Sequence, residues 1–144
     1  MSFNAKARAQ TGAGEAPLPP ARVMLKRAYE AASPADGKRV LVDRLWPRGI
    51  SKEKADLTGG WLKALAPSTA LREWFHHDRA LWPGFVERYR QELEGPEQRE
   101  ALRHVRAMAL EGPVTLVYGA RDTTHNEAVV LRDVLLGQPT ALHA

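Results

Sequence analysis

The chain has 144 residues, no cysteine and a formal net charge of +4. That length suits a single domain able to bury a core without covalent staples, and the missing thiols exclude disulfides, thiolate nucleophiles and Cys-ligated metal centres. The mild basicity favours anionic partners, yet it falls short of the segregated charge of a nonspecific nucleic-acid binder.

Residues 1–20, MSFNAKARAQTGAGEAPLPP, are small, polar and punctuated by Pro and Gly. They lack the apolar centre of a secretory signal and are expected to form a disordered N-terminal arm. The arm carries two basic residues, Lys6 and Arg8, so the positive balance belongs mainly to the remainder of the chain. Residues 21–137 are expected to form the domain, with 138–144 as a flexible tail. No apolar run reaches the roughly 18 residues of a membrane span.

Taken in order, Arg22 to Ala28 (RVMLKRA) alternates basic and apolar residues, the pattern of a strand with one wet face. SPADG at 33–37 is a turn: Pro34 presets φ, Asp36 can bond its own backbone, and Gly37 accepts positive φ. Arg39–Asp43, RVLVD, is a β-branched strand that Trp46-Pro47 and Gly49 bring to an end. A short helix is expected over Trp61–Leu65. Pro67-Ser68-Thr69 reads as the start of another, with Leu71, Trp74 and Phe75 on one face. Leu81, Phe85, Tyr89 and Leu93 then recur every fourth residue along an amphipathic helix. Gly95-Pro96 stops that helix and opens the next, whose stripe is Leu102, Val105, Met108 and Ala109 and whose end is Gly112-Pro113. Val114–Tyr118 (VTLVY) is a short apolar strand. After the loop Gly119-Ala120-Arg121-Asp122, the spacing of Thr124 and Glu127 matches a capping box, S/T-x-x-E. Ala128, Leu131, Val134 and Leu135 face the core from the last helix, which Gly137 terminates.

This order predicts a single α/β domain, with a small, mostly parallel sheet of about three strands covered by about four to five helices. A long helical crossover makes the second and third strands parallel if they are neighbours. Ligands in such sheets bind beyond the carboxyl ends of the strands. Two strand ends then share one edge: Asp43-Arg44-Leu45-Trp46-Pro47-Arg48-Gly49, and Tyr118-Gly119-Ala120-Arg121-Asp122. Arginine offers a planar fork of donors that fits carboxylate or phosphate.

That edge supplies the candidate site. Arg44, Arg48 and Arg121 clamp charge, and Lys52 and Lys63 add to the field. Trp46 walls the site, and Asn126 or Tyr118 orients the ligand. Asp43 is the candidate base, or else the residue that orients the arginines; Tyr118 is the second catalytic candidate, as a proton donor. Each has a plain structural alternative: an ion-pair lock for Asp43, a core plug for Trp46, packing for Tyr118, a solvated surface for the lysines and Arg121. His76-His77-Asp78 carries no metal signal, because adjacent helical residues diverge by about 100° and there is no HExxH. Dinucleotide, Walker and GxSxG motifs are absent. Arg99, Arg103 and Arg106 share a helix face, diluted by acids such as Glu100.

Five segments together carry a resemblance: RAYE at 27–30, DGKRVLVDRLWPRGISKEKA at 36–55, APSTALREWFHHD at 66–78, FVERYRQEL at 85–93 and VTLVYGARDTTHNEAVVLRDVL at 114–135. From residue 22 to about 136 the chain resembles the YeaO-like family, bacterial proteins with a domain of unknown function. The resemblance implies a small cytoplasmic α/β domain with no required cofactor. The positions that carry the pattern are Asp43, Arg44, Trp46, Pro47, Arg48, Gly49, Lys52, Lys63, Pro67, Ser68, Arg72, Tyr118 and Asn126. Ala64 stands where an acid is common, and Gly119 and Arg121 stand where serine and lysine are familiar.

The function expected on these grounds is binding of a small anionic or phosphate-containing molecule, with metal-free hydrolysis or transfer as the chemistry if the protein is an enzyme. No cofactor, no metal and no membrane partner are expected. Two other classes compete: a nucleic-acid module using the basic face of residues 97–111, and a protein-interaction adaptor with the Arg/Trp loop as hot spot.

Overall fold

The structure is a computed structural model that describes residues 16–143. Most of the expected N-terminal arm lies outside the described residues. Strands β1 (Val23–Arg27), β2 (Lys38–Leu41), β3 (Gly60–Trp61) and β4 (Val114–Tyr118) form one sheet in the order β1-β4-β2-β3. All three pairings are parallel. Val23 to Arg27 pair with Val114 to Tyr118, and Lys38 to Leu41 pair with Val114 to Val117, so the last strand in sequence is central. The helices are α1 (Lys52–Ala55), α2 (Thr69–Phe75), α3 (Trp82–Glu92), α4 (Pro96–Glu111) and α5 (Glu127–Leu136). The α/β class and the parallel crossover are as the sequence predicts.

Two local expectations change. Residues 61–65 are not one short helix: Gly60–Trp61 adds a fourth strand, and a 3-10 turn, Lys63–Leu65, comes after it. The backbone of Arg39 and Leu41 recruits this piece, accepting from Gly59 N–H and Leu62 N–H, each at 2.9 Å. The capping box is also displaced. Asp122 Oδ1 accepts from the N–H groups of Thr124 (2.9 Å) and His125 (3.0 Å), which forms a local turn. Helix α5 therefore starts later, with Asn126 as its N-cap accepting from Val129 N–H at 3.1 Å. Glu127 becomes the first residue of the helix rather than its third.

Side-chain alternation divides the sheet. Val23, Val40, Val42, Val114, Leu116 and Tyr118 face the main core, where they meet apolar residues of α2, α3, α4 and α5. Phe75, Trp82, Phe85 and Tyr89 stack there, with Phe75 and Phe85 at 4.4 Å between ring centroids. Burial of each such side chain is worth about 1.5–3 kcal/mol. On the other face Leu41, Val117 and Ala28 are covered by Leu57, Trp46 and Trp61. Charge completes that face: buried Asp36 accepts from Lys26 Nζ at 3.0 Å and Arg39 Nη1 at 2.8 Å. Residues after α5, assigned by sequence to a flexible tail, contact the body. Arg90 donates to Gln138 O at 2.7 Å and Trp82 Nε1 to Ala141 O at 2.8 Å. No helix among the described residues is long and apolar enough to cross a membrane.

Candidate functional site

A cleft of about 210 Å³ opens at the carboxyl edge of the sheet, between the ends of β2 and β4, the start of α5 and the end of α2. Asp43 and Arg44 reach it from the loop after β2, and Asn126 and Glu127 from the start of α5. Leu45, Trp46, Pro47, Pro67, Phe75 and Phe85 make its apolar walls, and Arg72 and His77 stand on the α2 side. His76 and His77 hold left-handed backbone, at φ 42° and 57°, which ends α2 and turns the chain toward the cleft. Consecutive left-handed non-glycine residues are unfavourable and tend to mark functional turns.

The floor is a pair of carboxyl groups. Gly119 N–H donates to Asp43 Oδ2 at 2.9 Å, which ties the two strand-end loops together. A β-carbon at Gly119 would stand 3.0 Å from that oxygen, so glycine lets the carboxylate close onto the backbone. The Glu127 carboxyl stands near that of Asp43 and interacts with it. Glu127 as a residue keeps some exposure, but its Oε2 is sealed from solvent with no donor in reach. Burial, followed by the adjacent Asp43 carboxylate, pushes the Glu127 pKa well above its ordinary value. Two neighbouring carboxyls cannot both ionise cheaply, which favours the protonated form of Glu127. Tyr89 lies beneath, its hydroxyl donating to Leu65 O, and burial followed by the Glu127, Glu92 and Asp43 charges pushes its phenol up.

The rim is cationic. Arg44 Nε donates to Pro67 O at 3.1 Å, which fixes the guanidinium while its terminal nitrogens have no partner among the described residues. Arg72 and His77 are exposed and line the same cleft from the α2 side.

The predicted site residues separate into two groups. Asp43, Arg44, Trp46 and Asn126 line the same cleft. Tyr118, Arg48, Lys52, Lys63 and Arg121 are not among its lining. Tyr118 is buried in the main core. Burial and then the Glu30 carboxylate push its phenol up, opposed by Arg27 and by a hydrogen bond with Asn126. Arg48 is exposed, its carbonyl accepting from Tyr29 Oη at 3.0 Å. Lys52 and Arg121 are also exposed, and Lys63 sits over the Trp61 ring at 4.2 Å. Trp46 has two further contacts: Nε1 donates to Ile50 O at 2.7 Å and the ring meets Trp61 edge-on at 5.4 Å. Asn126 engages both ends of its amide locally, Oδ1 on Val129 N–H and Nδ2 on Asp122 O. Sequence reasoning missed Glu127, which it read as a cap, and gave Arg72 and His77 no place in the site. Among the described residues no group of three acidic or histidine side chains is placed to hold a metal ion.

A family model described as "Inactive DUF488-N3 subclade" matches residues 22–143. The uncharacterized protein YeaO of Escherichia coli (strain K12) is 43% identical over 113 residues, covering 78% of this chain and 96% of that protein. The uncharacterized protein Rv3073c of Mycobacterium tuberculosis (strain ATCC 25618 / H37Rv) is 41% identical over 117 residues, covering 81% and 96%. No solved structure matches. With the family model spanning nearly every described residue and relatives covered almost end to end, the chain belongs to the YeaO-like family, within the subclade described as inactive DUF488-N3.

Proposed function

We infer that the chain is a binding domain for a small anionic ligand, taken into the cleft between the ends of β2 and β4. The observation that carries this reading is Arg44. Its guanidinium is anchored through one nitrogen and leaves its fork unpaired in a walled cavity that Arg72 and His77 also line. A phosphate or carboxylate is the group that such a fork fits. The family description, an inactive subclade, speaks for holding a ligand rather than converting it. A second reading, metal-free hydrolysis or transfer, is favoured by the acid pair, in which burial keeps a proton on Glu127 beside the Asp43 carboxyl.

The nucleic-acid reading has less support. Arg99 is paired with Glu94 at 2.7 Å and Arg103 with Glu100 at 2.8 Å, and Arg106 is buried, so the helix face offers little free charge. A cysteine-free chain suits a reducing bacterial cytoplasm.

Thermal shift with nucleotides, sugar phosphates, organic acids and short oligonucleotides tests the reading, using wild type, Arg44→Ala and Arg72→Ala. A small anion should raise the melting temperature of wild type and not of Arg44→Ala, while the unliganded proteins melt within a few degrees of each other. A response to oligonucleotides alone, equal in all three proteins, refutes it.

A further inference from the structure

The two ends of the cleft ask for different chemistry, and together they specify more than an anion. At the mouth stand donor-only groups, Arg44 and Arg72. At the floor stand the carboxyls of Asp43 and Glu127, with Glu127 Oε2 buried and without a partner; burial favours the protonated form of Glu127, so the two together offer a hydrogen as well as lone pairs. A phosphate or carboxylate brought to the floor would meet a carboxylate and gain nothing. An ammonium group would have to share the cleft with the arginines, whose positive charge opposes it. A hydroxyl both donates and accepts, carries no charge, and matches the mixed array. Two neighbouring carboxyls match two neighbouring hydroxyls.

We propose that the Asp43/Glu127 floor reads a vicinal pair of hydroxyls, so that the anion held by the cleft is a phosphorylated or carboxylated polyol with its charge outward at Arg44 and Arg72. Size and walls agree with this. The cavity, about 210 Å³, lies below the usual ~300–1,000 Å³ of drug-sized sites and suits a single sugar unit. Phe75, Phe85, Trp46 and the prolines Pro47 and Pro67 offer apolar surfaces to the C–H face of such a ring. Glycine at 119 matters here too, because it lets the backbone N–H hold Asp43 Oδ2 and so fixes the carboxylate at the edge of the cleft. The proposal rests on the cleft being the binding site.

Calorimetric titration of the full chain with ribose 5-phosphate, 2-deoxyribose 5-phosphate and orthophosphate tests it. The first sugar carries a vicinal diol on its ring; the second lacks it and keeps the phosphate. Wild type should bind ribose 5-phosphate roughly tenfold or more tightly than the deoxy sugar. Glu127→Leu should bring the two sugars level, and Glu127→Gln, which keeps a donor, should retain part of the preference. Arg44→Ala should weaken both sugars by the same factor. Equal affinity for the two sugars in wild type, or an undiminished preference in Glu127→Leu, overturns the diol reading; if Arg44→Ala still weakens both, the cleft reading survives. No binding of either sugar or of orthophosphate by wild type overturns both. Should Glu127→Leu fail to show a folded transition, the wild-type comparison and Glu127→Gln decide.

Discussion

The raised pKa of Glu127 beside Asp43 has a consequence that stability measurements can read without any ligand. Glu127 holds a raised pKa in the folded state, from burial and the neighbouring Asp43 charge, against an ordinary value of 4.5. At pH values between the two, the folded chain carries a proton that the unfolded chain has lost. Stability then falls as pH rises, by about 1.4 kcal/mol per pH unit. The contribution is fully present below 4.5 and disappears as pH climbs toward the folded value. Glu127→Gln removes this titration while keeping a hydrogen-bond donor for Asp43. The difference in unfolding free energy between variant and wild type should therefore grow in favour of the variant by about 1.4 kcal/mol per pH unit above the ordinary carboxyl range. In thermal melts that is about 5 °C per pH unit for a chain of this size. Asp36 and Asp122 titrate in both proteins and cancel in the difference. Denaturant melts across a pH series, with Glu97→Gln as an exposed control, make the measurement. Parallel stability curves for wild type and Glu127→Gln would refute the raised pKa of Glu127.

Asp36 predicts the opposite slope. Burial alone would raise its pKa, but the Ser33 N–H, Lys26 and Arg39 overcome that and hold it at about 2. Its contribution is present above the ordinary value of 3.8 and is lost as pH falls toward 2. Asp36→Asn should cost about 3–5 kcal/mol near neutrality, as breaking a buried pair does, and should flatten the acid limb of the stability curve; denaturant melts check both. Gly37→Ala should be more severe than an ordinary turn substitution. The residue has φ +63°, and a β-carbon there would lie 2.0 Å from Pro113 O, so the turn and the entry to β4 would have to separate. A loss above about 3 kcal/mol is expected in the same assay, against under 1 kcal/mol for a tolerated glycine change.

Helix α3 was legible because its apolar residues recur every fourth position and its stop, Gly95-Pro96, is chemical. Strand β2 and its Arg/Trp loop were legible for the same local reasons. What escaped depends on distant partners. Gly60–Trp61 has no alternation to show and becomes a strand only because the Arg39 and Leu41 carbonyls accept from the N–H groups flanking it. Glu127 escaped through a shift of two residues. Thr124 and Glu127 have capping-box spacing, but Asp122 takes the N–H groups of Thr124 and His125 first, and the helix starts on Asn126. The glutamate keeps a bond to its own backbone and also meets a carboxyl 84 positions earlier in the chain. Arg48, Lys52 and Arg121 were drawn in by charge, which sequence displays, while exposure and direction, which it does not, set them outside the cleft.

The placing of β4 between β1 and β2 governs the order in which this chain can become a protein. Val114–Tyr118 is translated after both of its neighbours, and β1 and β2 share no hydrogen-bonded register of their own. Until it emerges, the nascent chain has helices and a two-residue parallel pairing, but no sheet for them to cover. Closing it spans 91 residues from Val23 to Val114, a long loop whose entropy is lost before the pairing can offset it. The helices before β4 must wait with their apolar faces open. The same late strand brings Gly119 to Asp43, so the sheet and the floor of the cleft are completed in one event.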